Sequence, residues 1–327
     1  MADYGKNFVQ LHNHTHYSLL DGASKIPDLA KRAAELEMPA VGITDHGNMH
    51  GAYEMYTNCV ANGVKPIIGI EAYVTPETAR QDKSRVHWGT EAQRRDDVSG
   101  GGLITHLTMW AENDEGLVNL IKASSVANLE GRVMRYPRMD KEVLSTYSKG
   151  VIASSGCPSG IIQTRLRLGQ FDEALRAAGE FQDIFGKDNF FIELMDHGLT
   201  IENQVTDDLL TIAKKLDAPL LATNDSHYVH AEDAGAQDAM LCINSGSRLD
   251  DPDRFKFDGT GYYIKTAEEM RELFKDHPDA CDNTLLIAER CNVMFDDHED
   301  GAFMPQFPCP EGWDETSLFL KKVEEGL

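Results

Sequence analysis

Short apolar runs recur along the chain, each ending in a polar or glycine-rich stretch and each followed by an amphipathic segment. The runs are NFVQLHNH, AVGITDHG, KPIIGIEAYV, GLITHLTMWA, GVIASSGCPS, NFFIELMDHG and PLLATNDSHYV. They are brief and rich in valine, isoleucine, leucine and phenylalanine, as buried parallel strands are. Between them, apolar residues return at helical spacing. Ser24 to Glu37 places Ile26, Leu29, Ala33 and Leu36 on one face behind Ser24 as N-cap. Thr200 can cap a helix to Leu216 with Ile201, Val205, Leu209, Ile212 and Leu216 inward, and Asp114 to Leu129 and Phe171 to Phe185 read the same way. Strand–helix units in such a row predict an α/β fold whose sheet closes, or nearly closes, into a barrel, with an open doubly wound sheet as the alternative. Either architecture puts its chemistry at the carboxyl ends of the strands.

From Thr266 the pattern becomes helical. TAEEMRELF opens on a capping box of Thr266 and Glu269, PDACDNTLLIAERC follows, and a proline-rich stretch leads to SLFLKKVEEGL. This predicts a first domain over residues 1–265 and a small, mostly helical extension over 266–327, which reads as a cut inside a longer protein.

Composition narrows the class. The 327 residues are 41% hydrophobic, enough for a large core. No apolar run is long enough to span a membrane, and MADYGKNFVQ lacks a signal-peptide core, so a cytoplasmic protein is expected. Six cysteines without a CxxC pair read as reduced thiols, most of them in the core. A net charge of −23 argues against nucleic-acid binding through the overall field. Any phosphodiester would have to be attracted locally, by metal ions or by clustered arginine and lysine. Two basic segments exist: Arg80, Lys83, Arg85, Arg94 and Arg95 in one, Arg132, Arg135 and Arg138 in the other.

The strand ends change the picture most. The first run ends in His12 and His14, which share one side because a strand has period two. The second ends in Asp45 and His46, and the third, fourth and fifth carry Glu71, His106 and Cys157. The seventh ends in Asp225 and His227, and Asp21 follows the first strand in a turn. Each residue alone is weak evidence, since a lone histidine at a strand end is more often a hydrogen-bonded structural residue. Together they deliver imidazole, carboxylate and one thiol to a single rim, which suits zinc, manganese or iron, the thiol favouring zinc. Asp45 aside, whose strand parity is opposite that of His46, nine ligands exceed the needs of one ion and imply a cluster bridged by a carboxylate.

LHNHTHYSLLDGA, GITDHGNM, KPIIGIEAYV and ATNDSHYV resemble the motifs of the polymerase and histidinol phosphatase (PHP) domain, and more closely the PHP domain at the amino terminus of bacterial C-family replicases, the DNA polymerase III alpha subunits. The resemblance covers nearly the whole chain. It implies a distorted seven-stranded barrel and a site of three divalent ions, most readily Zn²⁺, with Mn²⁺ or Fe²⁺ as alternatives. Carried over residue by residue, His12, His14, Glu71 and Asp225 would hold the first ion. Glu71 would bridge to a second, held with His106 and Cys157, and Asp21, His46 and His227 would hold the third. His16 falls outside this set, Asp45 is a candidate to orient a ligand, and Glu193 and His197 read as structural.

The resemblance also implies metal-dependent 3′–5′ exonuclease proofreading of a DNA primer end, within a polymerase whose own active site lies elsewhere. Its partners would be DNA, the remainder of the alpha subunit and replisome components such as the sliding clamp. The basic segments would position a DNA backbone, and Trp88 and Tyr136 could stack on a frayed base. Two alternatives stand: a small-molecule phosphatase of the histidinol-phosphatase kind, and a non-catalytic module that metal merely stabilises.

Overall fold

The structure, a computed structural model, describes residues 7–91, 100–295 and 305–327. It divides into two compact units, Met1–Met294 and Phe295–Leu327. In the first, the strands are β1 (Ala40–Ile43), β2 (Lys65–Val74), β3 (Thr105–Ala111), β4 (Arg138–Met139), β5 (Val151–Ser154), β6 (Phe190–Leu194) and β7 (Leu220–Ala222). The helices are α1 (Ile26–Glu35), α2 (Ala52–Ala61), α3 (Asp114–Glu130), α4 (Lys141–Thr146), α5 (Ile161–Arg167), α6 (Phe171–Phe185), α7 (Thr200–Leu216), α8 (Ala234–Ser245), α9 (Ala267–Leu273) and α10 (Pro278–Arg290). The second unit carries α11 (Glu315–Gly326), opened by an Asp314–Ser317 capping box. The α/β class is as expected from the sequence.

The sheet runs β1-β2-β3-β5-β6-β7, with the short β4 paired to β2. The first apolar run is expected to be a regular strand but makes only isolated bridges. It nonetheless joins the two ends of the sheet. Gln10 bridges to Val41 beside β1, and Asn13 bridges to Ser226 beyond β7. Gly42 N donates to Gln10 O, and His14 N donates to Ser226 O at 2.8 Å. Residues Val9 to Thr15 thus act as an irregular closing stave.

The expectation of parallel strands throughout is corrected at β3, which pairs antiparallel with both β2 and β5. Its first residues therefore lie at the end where the neighbouring strands finish. His106, the second residue of β3, sits opposite Tyr73, two residues past Glu71.

Side-chain parity then fills the interior in layers, as barrels do. Ile67 and Glu71 share a side of β2, Trp110 and His106 a side of β3, and Phe191 and Glu193 a side of β6. Ile67, Trp110, Ile152, Phe191 and Leu221 form an apolar floor with Val9 and Leu11. Leu285, Ile287, Ala288 and Cys291 of α10 and its C-terminal end close that floor from below. The indole of Trp110, fully buried, donates to Leu11 O, so no polar atom is stranded there. Helices α9 and α10 thus belong to the first compact unit.

The outer helices follow the expected faces. Ile26, Leu29, Ala30 and Ala33 of α1 are buried, as are Val205, Leu209, Ile212 and Ala213 of α7. Ser24 does not cap α1: Lys25 occupies the N-cap without a side-chain bond, and a proline stands at the helix start. Thr200 is the first residue of α7, behind Leu199 as N-cap. The capping box of Thr266 and Glu269 is present on α9.

Candidate metal centre

Above the floor lies a polar layer. Glu193 projects inward from β6, is 1% exposed, and holds three neighbours. Its Oε1 lies 2.7 Å from His12 Nδ1 and accepts from Thr223 Oγ1 at 2.6 Å. Its Oε2 accepts from Ser154 Oγ. Thr108 Oγ1 stands 3.4 Å from the same imidazole nitrogen. Glu193 and Thr108 thereby fix one ring, Ser154 and Thr223 holding Glu193 in turn, with the ring's Nε2 turned toward the mouth.

Above this layer the candidate ligands converge. Glu71 is fully buried at the centre. Its carboxylate oxygens lie 3.3 Å from His12 Nε2, 3.8 Å from His14 Nε2, 2.5 Å from His46 Nδ1 and 3.1 Å from His106 Nδ1. Asp225 Oδ1 lies 2.9 Å from His14 Nε2 and 3.4 Å from His12 Nε2. Asp21 Oδ2 lies 2.9 Å from His46 Nε2 and 3.9 Å from His227 Nε2. Cys157 Sγ stands 3.4 Å from His106 Nδ1. The nine side chains expected from the sequence, drawn from positions 12 to 227, therefore share one mouth. Three trios bring their ligand atoms within 4.8 Å of one another: His14 with His46 and His227, His12 with His14 and Glu71, and His46 with Glu71 and His106.

A test of fit to a cation lies in the unsatisfied atoms. His12 Nε2, His14 Nε2, His46 Nδ1, Asp21 Oδ1, both oxygens of Glu71 and Asp225 Oδ1 are buried with no hydrogen-bond partner. Several are close to one another, yet none of these contacts meets the angular requirement of a hydrogen bond. Buried polar atoms are normally paired, so seven orphans at one point call for a shared partner. Meanwhile the far nitrogens are held. His12 Nδ1 is held by Glu193, His14 Nδ1 by Ser18 Oγ at 3.2 Å, and His227 Nδ1 by Asp225 O at 2.7 Å. Fixing one ring nitrogen so that the other faces a metal is the usual way a protein orients imidazole ligands. These His and Glu clusters fit divalent metal ions.

In the bare site the charges are coupled: against burial, the surrounding carboxylates draw His12 and His46 well above the ordinary imidazole value, so a bound cation would displace their protons. Burial pushes Glu71 upward, but the imidazoles of His106 and His46 hold its carboxylate well below the ordinary range. Asp225 is drawn down by His12 and His227 against its burial, and Asp21 is lowered to about 2, against burial, by its bond to His46 and by His227. Burial and the charges of His46 and His227 lower His14 to about 3, leaving its nitrogen free to coordinate. Burial, with Glu71 and Asp225 alongside, pushes the Cys157 thiol well up. A thiolate there requires a cation beside it. Asp225 takes φ +45° and Leu20, next to Asp21, φ +62°, left-handed conformations that non-glycine residues adopt at a cost.

Asp45, the candidate to orient a ligand, accepts from Thr15 N, Thr15 Oγ1 and Ser18 Oγ, pinning the turn whose Ser18 bonds His14. His16 turns away, its Nδ1 3.4 Å from Ser24 O. His197 is structural as expected, bonded to Glu202 and stacked on Tyr262. Glu193 corrects the structural reading given to it, since it orients His12. The signal was its parity with Phe191 on an inward-facing strand.

The basic segments are largely spent on the fold. Arg138 is fully buried and donates to the carbonyls of Gly131, Leu103, Arg80 and Asp82. Arg80 is bound by Glu130, Asp140 and Glu142. Neither is available to a DNA backbone. Trp88 lies under the guanidinium of Arg165, 4.0 Å from its ring, rather than open to a base. Arg94 and Arg95 lie outside the described residues.

The PHP domain family matches residues 10–197. The chain is 53% identical over 324 residues to the DNA polymerase III subunit alpha of Mycobacterium tuberculosis, covering 99% of this chain and 27% of that protein. It is 39% identical over 328 residues to the subunit of the same name from Borreliella burgdorferi, again covering 99% and 27%. The chain thus spans about a quarter of the length of the curated relatives it matches. An inferred metal-dependent phosphoesterase of Bifidobacterium adolescentis overlays with a TM-score of 0.39 at 16% identity, covering 82% of this chain and 96% of that one.

Proposed function

The chain belongs to the PHP family, and from that premise we propose that its mouth is a divalent-metal centre that hydrolyses phosphodiesters at a DNA 3′ end. The observation that carries the proposal is the set of seven buried, unpartnered ligand atoms facing one another, with the opposite ring nitrogens already held. His12, His14, Glu71 and Asp225 would hold one ion, Glu71, His106 and Cys157 a second, and Asp21, His46 and His227 a third. The thiol among imidazoles and carboxylates favours zinc over manganese or iron. Divalent ions in such a site supply positive charge for a phosphoryl group and acidify water toward neutral pH.

The chain's own residues supply the rest. Glu193 and Ser18 hold two imidazoles in fixed tautomers, so the ligand atoms need no reorganisation. The apolar floor keeps the base of the mouth dry. Within a chain of net charge −23, the attraction for phosphate is confined to this mouth.

Similarity to DNA polymerase III alpha subunits supports the choice of a primer 3′ end as substrate and of proofreading as the role. On this reading residues 1–265 are the barrel domain and residues 266–327, whose α9 and α10 pack with the barrel in one compact unit, the start of a polymerase palm region. The partners are then DNA, the remainder of the alpha subunit and, through it, replisome components such as the sliding clamp, in the cytoplasm. No helix among the described residues is long and apolar enough to cross a membrane.

The test pairs metal analysis by mass spectrometry with hydrolysis of a mismatched primer–template, with and without chelator, beside histidinol phosphate. Metal-dependent shortening of the primer from its 3′ end is expected. Turnover of histidinol phosphate alone would move the assignment to a small-molecule phosphatase. Bound metal with no turnover of either would leave a structural module.

A further inference from the structure

Among the described residues of the basic segments, three exposed guanidiniums donate to neutral groups: Arg85 to Gly101 O, Arg132 to Met134 O, and Arg135 to Asn244 Oδ1 at 2.6 Å. Arg135 has contacts that lead on to the mouth. It stands at the tip of a tight turn: Val133 and Tyr136 exchange both backbone hydrogen bonds at 3.0 Å, leaving Met134 and Arg135 between them. Met134 takes φ +54°, as the first central residue of such a turn must. The turn is anchored, because Val133 packs with Leu103 and Ile104, and Tyr73 and Tyr136 pack on the same cluster.

The turn also faces the mouth. The Arg135 guanidinium lies 5.3 Å from the Tyr136 ring centre, and Tyr136 meets Tyr73 edge-on at 5.1 Å. The Tyr73 ring in turn lies 5.4 Å from His106 and 6.0 Å from His46, both candidate ligands. From the other side, Asn244 Nδ2 donates to the carbonyl of Leu20, the residue before Asp21. Arg135 is therefore tied at both flanks to loops that carry ligands. Its contact with Tyr136 raises its pKa against some burial, with Tyr73 and Asp21 adding to the effect, so it stays charged.

We propose that Arg135 is a positioning residue for the nucleic-acid strand, gripping the phosphate next to the one being cleaved while Tyr73 and Tyr136 form an aromatic wall for the terminal base. This rests on the phosphodiesterase reading of the same mouth. A planar guanidinium offers two parallel donors to a phosphate, and a rigid turn holds them in place before the strand arrives. Stacking on aromatic rings accepts any base, as an end-trimming enzyme requires. Arg80 and Arg138, engaged by carboxylates and carbonyls, cannot serve in this way.

The test measures binding of a short labelled oligothymidylate to the metal-loaded 327-residue chain by anisotropy across a range of salt. Arg135→Gln removes the charge but keeps a donor for Asn244. It should weaken binding by roughly tenfold or more, the scale of one charge-assisted hydrogen bond. It should also make the slope of log K against log salt shallower by about 0.7, the value for one phosphate contact on a single strand. Arg135→Lys should restore the slope while binding less tightly than arginine, which a merely structural role would not produce. Metal content should be unchanged in both variants. Unchanged affinity and slope in Arg135→Gln, or a native chain that hydrolyses a small phosphodiester yet binds no strand, would overturn the proposal. A native chain that binds the strand but hydrolyses neither it nor a small phosphodiester would instead defeat the catalytic reading, leaving the Arg135 comparison standing.

Discussion

The smallest determinant of the mouth is a carboxylate outside the ligand set. Glu193 fixes the tautomer and direction of His12 through a 2.7 Å contact, inside a ring of Ser154 and Thr223 hydroxyls. Glu193→Gln keeps the volume but puts an amide donor among groups that donate. The expected outcome is a metal affinity lower by about 10- to 100-fold, the usual effect of losing such an orienting partner, with the fold retained. Competition with a chromogenic chelator reads the affinity and circular dichroism the fold. Lys265 supplies a second prediction, away from the ligands. It is 8% exposed, donates to Asn224 Oδ1 and Gly261 O, and burial lowers it from 10.5 to about 8 despite Glu269, Glu202 and Asp196 nearby. Between those values the unfolded chain carries a proton that the folded chain lacks. The group's contribution to stability therefore rises as pH climbs from about 8 to 10.5, and its burial penalty is complete below that window. Against Lys265→Met, whose side chain does not titrate, the native protein should gain up to about 1.4 kcal/mol per pH unit within the window. Urea titrations at several pH values check this, and parallel curves for the two proteins would refute it.

At the level of strands and helices, α10 does for the floor what the histidines do for the mouth. Ile287 is fully buried against residues contributed by the closing stave and the strands. Ile287→Ala should cost about 2–5 kcal/mol by opening a cavity there. The metal content of the folded fraction should be unchanged, because the floor lies at the far end of the barrel. Denaturant unfolding and metal analysis on the same sample test both halves. This element also marks where sequence reading reached its limit. His12, His14, Glu71, Cys157 and Asp225 were legible because each lies in, or just past, a run whose periodicity is local. The reversal of β3 was not, because hydrophobic alternation carries no direction, and only pairing with β2 and β5 reveals that His106 reaches the mouth from a strand's beginning. The stave was half legible. Leu11 joins the floor and its neighbour His12 the mouth, which a regular strand would forbid, so the segment makes isolated bridges instead. Arg138 looked like a surface contact because four backbone carbonyls scattered between residues 80 and 131 cannot be seen converging in the linear order.

For the compact unit as a whole, the proposed metal centre would be a stability device as well as a reactive one. Glu71 is buried, and Asp225 and Asp21 half-buried, among imidazoles that neutralise them in part. What remains uncompensated is the set of ligand atoms with no hydrogen-bond partner, each expensive to bury. Ions that bind the folded mouth, and bind the unfolded chain far less, stabilise the fold by mass action, by about 2.7 kcal/mol at a free concentration 100 times the dissociation constant. Removing metal with a chelator and then the chelator by dialysis should therefore lower the melting temperature by several degrees while leaving the far-ultraviolet spectrum native. Adding back zinc should restore the melting temperature with a dependence on free zinc concentration. Glu71→Gln, which weakens the central carboxylate, should blunt that response. A melting temperature indifferent to metal, measured on protein verified to have lost its ions, would mean that the orphaned atoms are satisfied in some other way, and the metal centre would fall with it.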